Sequence, residues 1–199
     1  VRGREGNPEA DIRYQACIKA LDDYHLTLRD ENLYIGNFTL ESGIHAAQQI
    51  QEKGLQADAI ICANDNMAVG VLEYFKMVGV KVPEDIRLAG FDNSETALYS
   101  TPAITSIDRN PHELGYRSIH QMLRIIDGEK DENSRISAEV SCRESCGCGS
   151  SYQIDVEKLK YKYTQLDIYM NHLAEMINGN LAEFSSLQTP EEVTPIIEK

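Results

Sequence analysis

Apolar positions in the first two-thirds of the chain recur in two alternating rhythms. Residues 8–24 read as a helix, with Ile12, Ala16, Ile18 and Leu21 tracing an apolar face, Asn7 placed to cap it and Pro8 suited to its first turn. Residues 41–53 repeat the helical spacing and are closed by Gly54; residues 66–78 do so again before Gly79, and residues 111–126 before Gly128. Between them lie short apolar runs. Residues 33–38 carry Tyr34 and Ile35, and residues 57–63 are almost continuously apolar, as in a strand covered on both faces. Residues 86–91 and 104–107 make two further strands, with a short helix at 94–100 between them. Strands alternating with helices predict an α/β domain built on a parallel sheet.

In such sheets ligands sit beyond the carboxyl ends of the strands. Polar residues collect at those ends here: Asn64-Asp65-Asn66, Asp92-Asn93 and Asp108-Arg109-Asn110. Each has a local reading and a functional one. Asn64-Asp65-Asn66 can cap the following helix, or turn one side chain into a cleft. Asp92 can cap residues 94–100, or accept hydroxyl hydrogen bonds from a sugar-like ligand. Arg13 is either solvated along its stem or a planar fork for an oxygen-rich ligand. Phe38 falls outside any apolar period, as loop packing or as a platform for a sugar or base. Arg109 either pairs with Asp108 at the surface, a contact worth little, or reaches the cleft.

A third rhythm begins near Ser151. Val156, Leu159, Tyr163, Leu166, Met170, Leu173 and Ile177 are spaced alternately by three and four, an a/d heptad continued by Asn180 and Phe184. The alternatives are an amphipathic helix lying on its own domain and a parallel dimeric coiled coil. The 3.5-residue period favours the coiled coil, because a lone surface helix normally shows a broader apolar face. Residues 189–193 look like the start of another helix.

Charge then narrows the partners. With 32 acidic against 19 basic residues the formal net charge is −13, which opposes contact with a phosphate backbone. No apolar run reaches the roughly 18 residues of a membrane span. The N-terminus lacks an initiator Met and a signal-peptide pattern, and reads as a cut end. Five cysteines fit a reduced cytoplasmic protein better than a disulfide framework.

Enzymatic chemistry has little to stand on. Neither Asp65 nor Asp92 comes with a Ser/Cys-His pair, the five histidines are scattered, and Gly3-x-x-Gly6 is too short for a phosphate loop. Cys142, Cys146 and Cys148 are close in sequence, and three thiolates can hold zinc or act in redox chemistry. No fourth ligand stands at clear spacing, so the trio is read as a reduced segment leaving the domain. No metal, cofactor or catalysis is expected.

Taken together, these motifs are more specific than any one of them. Ile60-Ile61-Cys62-Ala63-Asn64-Asp65-Asn66-Met67-Ala68-Val69-Gly70 resembles the strand-to-helix motif of the lactose- and purine-repressor (LacI/GalR) family. Val82-Pro83-Glu84-Asp85-Ile86 and Ala89-Gly90-Phe91-Asp92-Asn93 are similar to its next loop and strand. Thr101-Pro102-Ala103-Ile104-Thr105-Ser106-Ile107 resembles its crossover to the other lobe, and Leu114-Gly115 the helix after it. The resemblance implies a type I periplasmic-binding-protein-like fold, two α/β lobes with a ligand cleft between them. It puts Arg13, Phe38, Asn64, Asp92 and Arg109 on the family's ligand-contacting positions, for a sugar or nucleoside-like effector.

On that basis residues 1–103 are expected to be the C-terminal lobe, and 104–150 the crossover and remaining part of the N-terminal lobe. Residues 151–184 would be a coiled-coil signalling helix, and 185–199 the start of a following domain. The family's DNA-binding segment and most of its N-terminal lobe have no counterpart here. The expected protein is a cytoplasmic, homodimeric transcriptional regulator that passes lobe closure to an output domain. The alternative is the sensor part of a signalling enzyme such as a diguanylate cyclase or histidine kinase.

Overall fold

Helix α1 (Pro8–Asp23) begins as its sequence predicts: the Asn7 side chain accepts the Ala10 amide at 3.0 Å, and Pro8 stands in the first turn. The computed structural model describes residues 1–54, 57–129, 135–149 and 156–185. It divides into two units, Val1–Tyr152 and Gln153–Lys199. The inward contact of α1 is Ala10, and the predicted stripe is not its buried face, since Ile12 is 69% exposed. The small Ala10 side chain lies beside Gly3, which also carries the Phe38 ring, so the helix docks through its first turn.

Helices α2 (Leu40–Glu52) and α3 (Asp65–Val78) are capped by Thr39 and Asn64. They cross with almost no space between their backbones. A β-carbon at Gly43 would fall on the Met67 backbone, and one at Gly70 on the Leu40 backbone. The approach brings Met67, Val71, Leu72 and Phe75 of α3 against Ala46, Ala47 and Ile50 of α2 and against Ile60, Ile86, Leu88 and Ile104 from the sheet. Burial of each large side chain contributes roughly 1.5–3 kcal/mol, so this layer carries most of the lobe's stability.

The sheet is centred on β1 (Ala59–Ile61) and β2 (Arg87–Ala89), parallel with Ile60 opposite Leu88. On the β1 side, Val1 N donates to Ile61 O at 2.6 Å and Ala63 N to Val1 O at 2.9 Å. Arg2 then bridges Ile35 in parallel. On the β2 side, Ala89 bridges Thr105 in parallel, and β3 (Ser106–Asp108) pairs antiparallel with β4 (Glu139–Ser141). Strand β4 has no signal in the hydrophobic pattern and is an addition to the predicted sheet.

Two expectations change. Residues 33–38 do not form a strand beyond the Ile35 bridge, because Phe38 turns the backbone to φ +71°. Nor is β1 covered on both faces: Ile60 is 6% exposed but Ile61 55%. The short helix α4 (Glu95–Leu98) is capped by Ser94. Helix α5 (Pro111–Ile126) has the predicted bounds yet buries no residue, leaving Leu114, Ile119, Met122 and Ile126 exposed along it.

In the second unit, α6 (Val156–Ser185) is one continuous helix of 30 residues. Tyr163, Leu166, Met170 and Ile177 are exposed on it and Leu173 is half-buried. The side chains of Val156, Leu159, Asn180 and Phe184, and the predicted helix start at 189–193, lie outside the described residues. No described helix is long and apolar enough to cross a membrane.

Candidate functional site

The turn after β2 holds two consecutive non-glycine residues at positive φ, Asp92 at +103° and Asn93 at +52°. L-residues avoid this region because Cβ crowds the backbone, and such strain persists only where neighbours over-determine it. Here the principal peg is Asp65, 1% exposed at the start of α3. Its Oδ2 accepts Ser94 N at 2.6 Å, its Oδ1 accepts Ser106 Oγ at 2.6 Å, and its own amide donates to Phe91 O at 2.8 Å. The fit requires Gly90, where a β-carbon would collide with the Asp65 side chain. The position at a helix N-terminus also favours a carboxylate.

Asn93 is pinned in its turn. Its amide donates to Ser106 Oγ at 2.9 Å, its Nδ2 to Asp108 Oδ2 at 2.9 Å, and its Oδ1 accepts from the buried Arg143 guanidinium. Arg143 Nη1 also donates to Ile104 O at 2.6 Å. Asp92 is thereby held out at the sheet's carboxyl end while its neighbours are tied down.

Three of the predicted site residues meet at Asp92. Arg109 Nη2 lies 3.1 Å from Asp92 Oδ1, and Arg13 Nη2 3.6 Å from the same oxygen. Glu9 joins the cluster, 2.8 Å from Arg13 and 3.4 Å from Arg109. The Arg13 guanidinium rests over the Phe91 ring at 4.0 Å, and its Nη1 donates to Ala63 O at 2.6 Å. Two guanidinium forks and two carboxylates thus converge without a net charge. Burial pushes the Asp92 carboxyl above the usual carboxylate range; Arg109 and then Arg13 pull it back, without fully offsetting the burial.

Asn64 and Phe38 are joined to the cluster through the β1 terminus. The Asn64 Oδ1 caps α3 by accepting Met67 N at 3.1 Å, and its Nδ2 donates to Phe38 O at 2.9 Å. At 7% exposure Asn64 acts first as a cap and a tether. Phe38, at positive φ and half-buried, lays its ring over Gly3. A contact path therefore runs from Phe38 through Asn64 and Ala63 to Arg13, Asp92 and Arg109. A separate cavity of about 240 Å³, lined by Tyr34, Ile35, Gly36, Ser42, His45 and neighbours, contains none of these five.

The pattern pointed to the Asn64-Asp65-Asn66 and Asp92-Asn93 clusters but not to the division of labour within them. Asp65 is the buried peg, and its hydroxyl and amide partners lie 41 and 29 residues away. Arg143 and Asn93 were likewise missed as a pair, being 50 residues apart. No local signal announces such partners.

The cysteines differ sharply in environment. Burial pushes the Cys62 thiol up to about 11. Burial acts in the same sense on Cys146, but hydrogen bonds from Thr105 and Cys148 outweigh it and bring the thiol down to about 7. In reduced, metal-free protein near pH 8, iodoacetamide with mass mapping is expected to label Cys146, with its lowered thiol, first and exposed Cys142 and Cys148 after it, all within minutes. Cys62 should be labelled at least about a hundredfold more slowly until denaturant is added, because so little thiolate forms. Labelling of Cys62 in the native protein at the rate of Cys148 would contradict its burial.

Comparison with known proteins gives the cluster a setting. The sequence profile of the periplasmic binding protein-like domain family matches residues 1–146. The HTH-type transcriptional repressor PurR of Erwinia tasmaniensis is 35% identical over 124 residues, covering 62% of this chain and 36% of the relative. Among solved structures, the transcriptional regulator CelR–cellobiose complex superposes with a TM-score of 0.67 at 26% identity, over 73% of this chain and 45% of that one. A sugar-binding transcriptional regulator of the LacI family from Escherichia coli, complexed with phosphate, gives 0.67 at 26% identity over 72% and 52%. The chain thus spans about a third of the curated relative and about half of the solved structures.

Proposed function

Because the chain belongs to the periplasmic binding protein-like domain family, we propose that it is the C-terminal part of the small-molecule-sensing domain of a LacI-type transcriptional regulator. The observation that carries this reading is the convergence of Arg13, Arg109 and Asp92 at the carboxyl end of the sheet, on a strained turn. A half-buried carboxylate accepts hydroxyl hydrogen bonds, guanidinium forks donate to hydroxyl and ring oxygens, and the Phe38 ring offers an apolar face. Those complementarities suit a sugar or a nucleoside-like effector. The cellobiose complex of CelR lies within that range.

Residues 1–103 act as the C-terminal lobe, and residues 104–150 carry the crossover into the second lobe. The bare apolar side of α5 supports this, since an amphipathic helix with no buried residue is complete only against further protein. The other wall of the cleft then belongs to the second lobe. Helix α6, which fills most of residues 151–184, pairs with a second copy through the a/d stripe on which Tyr163, Leu166, Met170 and Ile177 are exposed, and relays lobe closure to an output that begins in residues 185–199. The regulator is cytoplasmic and homodimeric, catalyses nothing itself, and leaves DNA contact to another part of the protein. The relatives favour a regulator over the sensor of a diguanylate cyclase or histidine kinase.

The test is calorimetric titration of the complete two-lobe protein against mono- and disaccharides, nucleosides and purine bases. One compound class is expected to bind at one site per protomer, with loss of binding when Arg13 or Arg109 is changed to Ala. Absence of binding by folded protein across the panel would overturn the reading.

A further inference from the structure

Beyond the effector cleft, the structure brings Cys142, Cys146 and Cys148 together: their three Sγ atoms all lie within 4.8 Å of one another. The grouping follows from how the segment is fastened. Ser145, fully buried, donates its amide to Ala103 O at 3.1 Å, accepts Thr105 N on its hydroxyl at 2.8 Å, and donates that hydroxyl to Leu88 O at 2.6 Å. Arg143, 5% exposed, donates its amide to Thr105 Oγ1 at 2.8 Å and its guanidinium to Ile104 O. Glu144 Oε2 accepts Ala103 N at 2.8 Å. Residues 143, 144 and 145 are therefore nailed to the sheet. The residues around them, Cys142 after β4, Cys146 in the turn Glu144–Cys146 and Cys148 beyond Gly147 at φ +86°, bring their thiols to one spot at its margin.

The geometry points to a zinc site of three thiolates, with a water completing the tetrahedron. Zinc–sulfur bonds of about 2.3 Å put tetrahedral sulfurs roughly 3.8 Å apart. Cys142 and Cys148 are exposed, so no packing opposes rotation of their side chains toward that separation. Three soft donors and no carboxylate select a thiophilic cation over magnesium or calcium. Binding replaces three S–H bonds by three Zn–S bonds and releases three protons, leaving a centre of charge −1. A cation is at hand to offset it: Arg87 Nε lies 3.7 Å from where a β-carbon on Gly147 would stand. A disulfide accounts for the cluster less well, since it uses two sulfurs and strands the third. The metal would staple the last turn of the lobe to the end of β4, fixing the point from which the chain departs.

Cobalt(II) titration of the full chain, reduced and handled without oxygen, tests this. One equivalent is expected to produce a thiolate-to-cobalt charge-transfer band and the visible bands of tetrahedral coordination, both abolished by one equivalent of zinc. Cys142→Ser and Cys148→Ser change exposed side chains, so the lobe keeps its circular dichroism while the bands are lost; Cys17→Ser retains them. The proposal is overturned by absence of the bands in reduced, folded protein, or by their survival in both variants. Freshly isolated protein holding a disulfide within the trio, and taking up no metal after reduction, overturns it in favour of a redox pair.

Discussion

Asp65→Ala is expected to destabilise the lobe by about 3–5 kcal/mol, the largest loss of any single substitution at the sheet's carboxyl end. The carboxylate has 1% exposure and satisfies two donors, the part-buried Ser94 amide and the buried Ser106 hydroxyl. Removing it orphans both, at roughly 1–3 kcal/mol each, and opens a small cavity against Gly90. Urea unfolding followed by circular dichroism should show a lower midpoint at unchanged slope, the sign of lost stability without a change in the surface exposed. Asp65→Asn, which keeps one acceptor but brings an NH2 toward a donor, should lose about half as much. A loss under about 1 kcal/mol in the alanine variant would show that water replaces the carboxylate and that Asp65 is not the peg. Because Ser94 and Phe91 bracket Asp92, effector binding should weaken in the same variants even where they remain folded.

Asp92→Gly should move stability and binding in opposite directions. Glycine adopts φ +103° without the crowding that aspartate suffers, so the variant is expected to be more stable by about 1 kcal/mol. Effector affinity of the two-lobe protein should fall about 10- to 100-fold, the worth of a charge-assisted hydrogen bond or two. That combination marks a residue kept for what it binds; equal losses of stability and affinity would make Asp92 structural. The raised Asp92 carboxyl adds a pH signature. In the window between the unfolded and folded values the native state holds the proton more tightly. Its contribution to stability is therefore full below that window and lost as pH rises through it, the reverse of an ordinary paired carboxylate. Affinity for a hydroxyl-rich effector runs the other way, falling as acidification protonates the acceptor. An affinity flat across that range in the wild type, or one that still falls in Asp92→Gly, would place the titrating group elsewhere.

The α/β class, the start of α1, the bounds of α5, and α3 with its cap were all legible in the chain, because each rests on neighbours in sequence. Asn7, Pro8 and Asn64 act within three residues of themselves, and a helical face repeats within one or two turns. The strand ends that carry Asn64, Asp92 and Arg109 could also be found, since polar residues following apolar runs mark where a parallel sheet stops. Other features had no local signature. β4 was recognisable only through its pairing with β3, and residues 33–38 lost their strand to a backbone reversal at Phe38. The buried face of α1 moved to Ala10 because the nearby chain at Gly3 and Phe38 admits only a small side chain there. The union of Arg13, Arg109 and Glu9 around Asp92 joins positions up to 100 residues apart. The choice of Asp65 as peg likewise rests on Ser94 and Ser106, 29 and 41 residues away. Sequence alone determined the elements and the rim on which the site stands, since these depend on short-range periodicity and capping. Which side chains meet, which are buried to hold the turn, and that three cysteines share one spot were decided by tertiary structure, because burial and long-range hydrogen bonds exist only once the chain is packed.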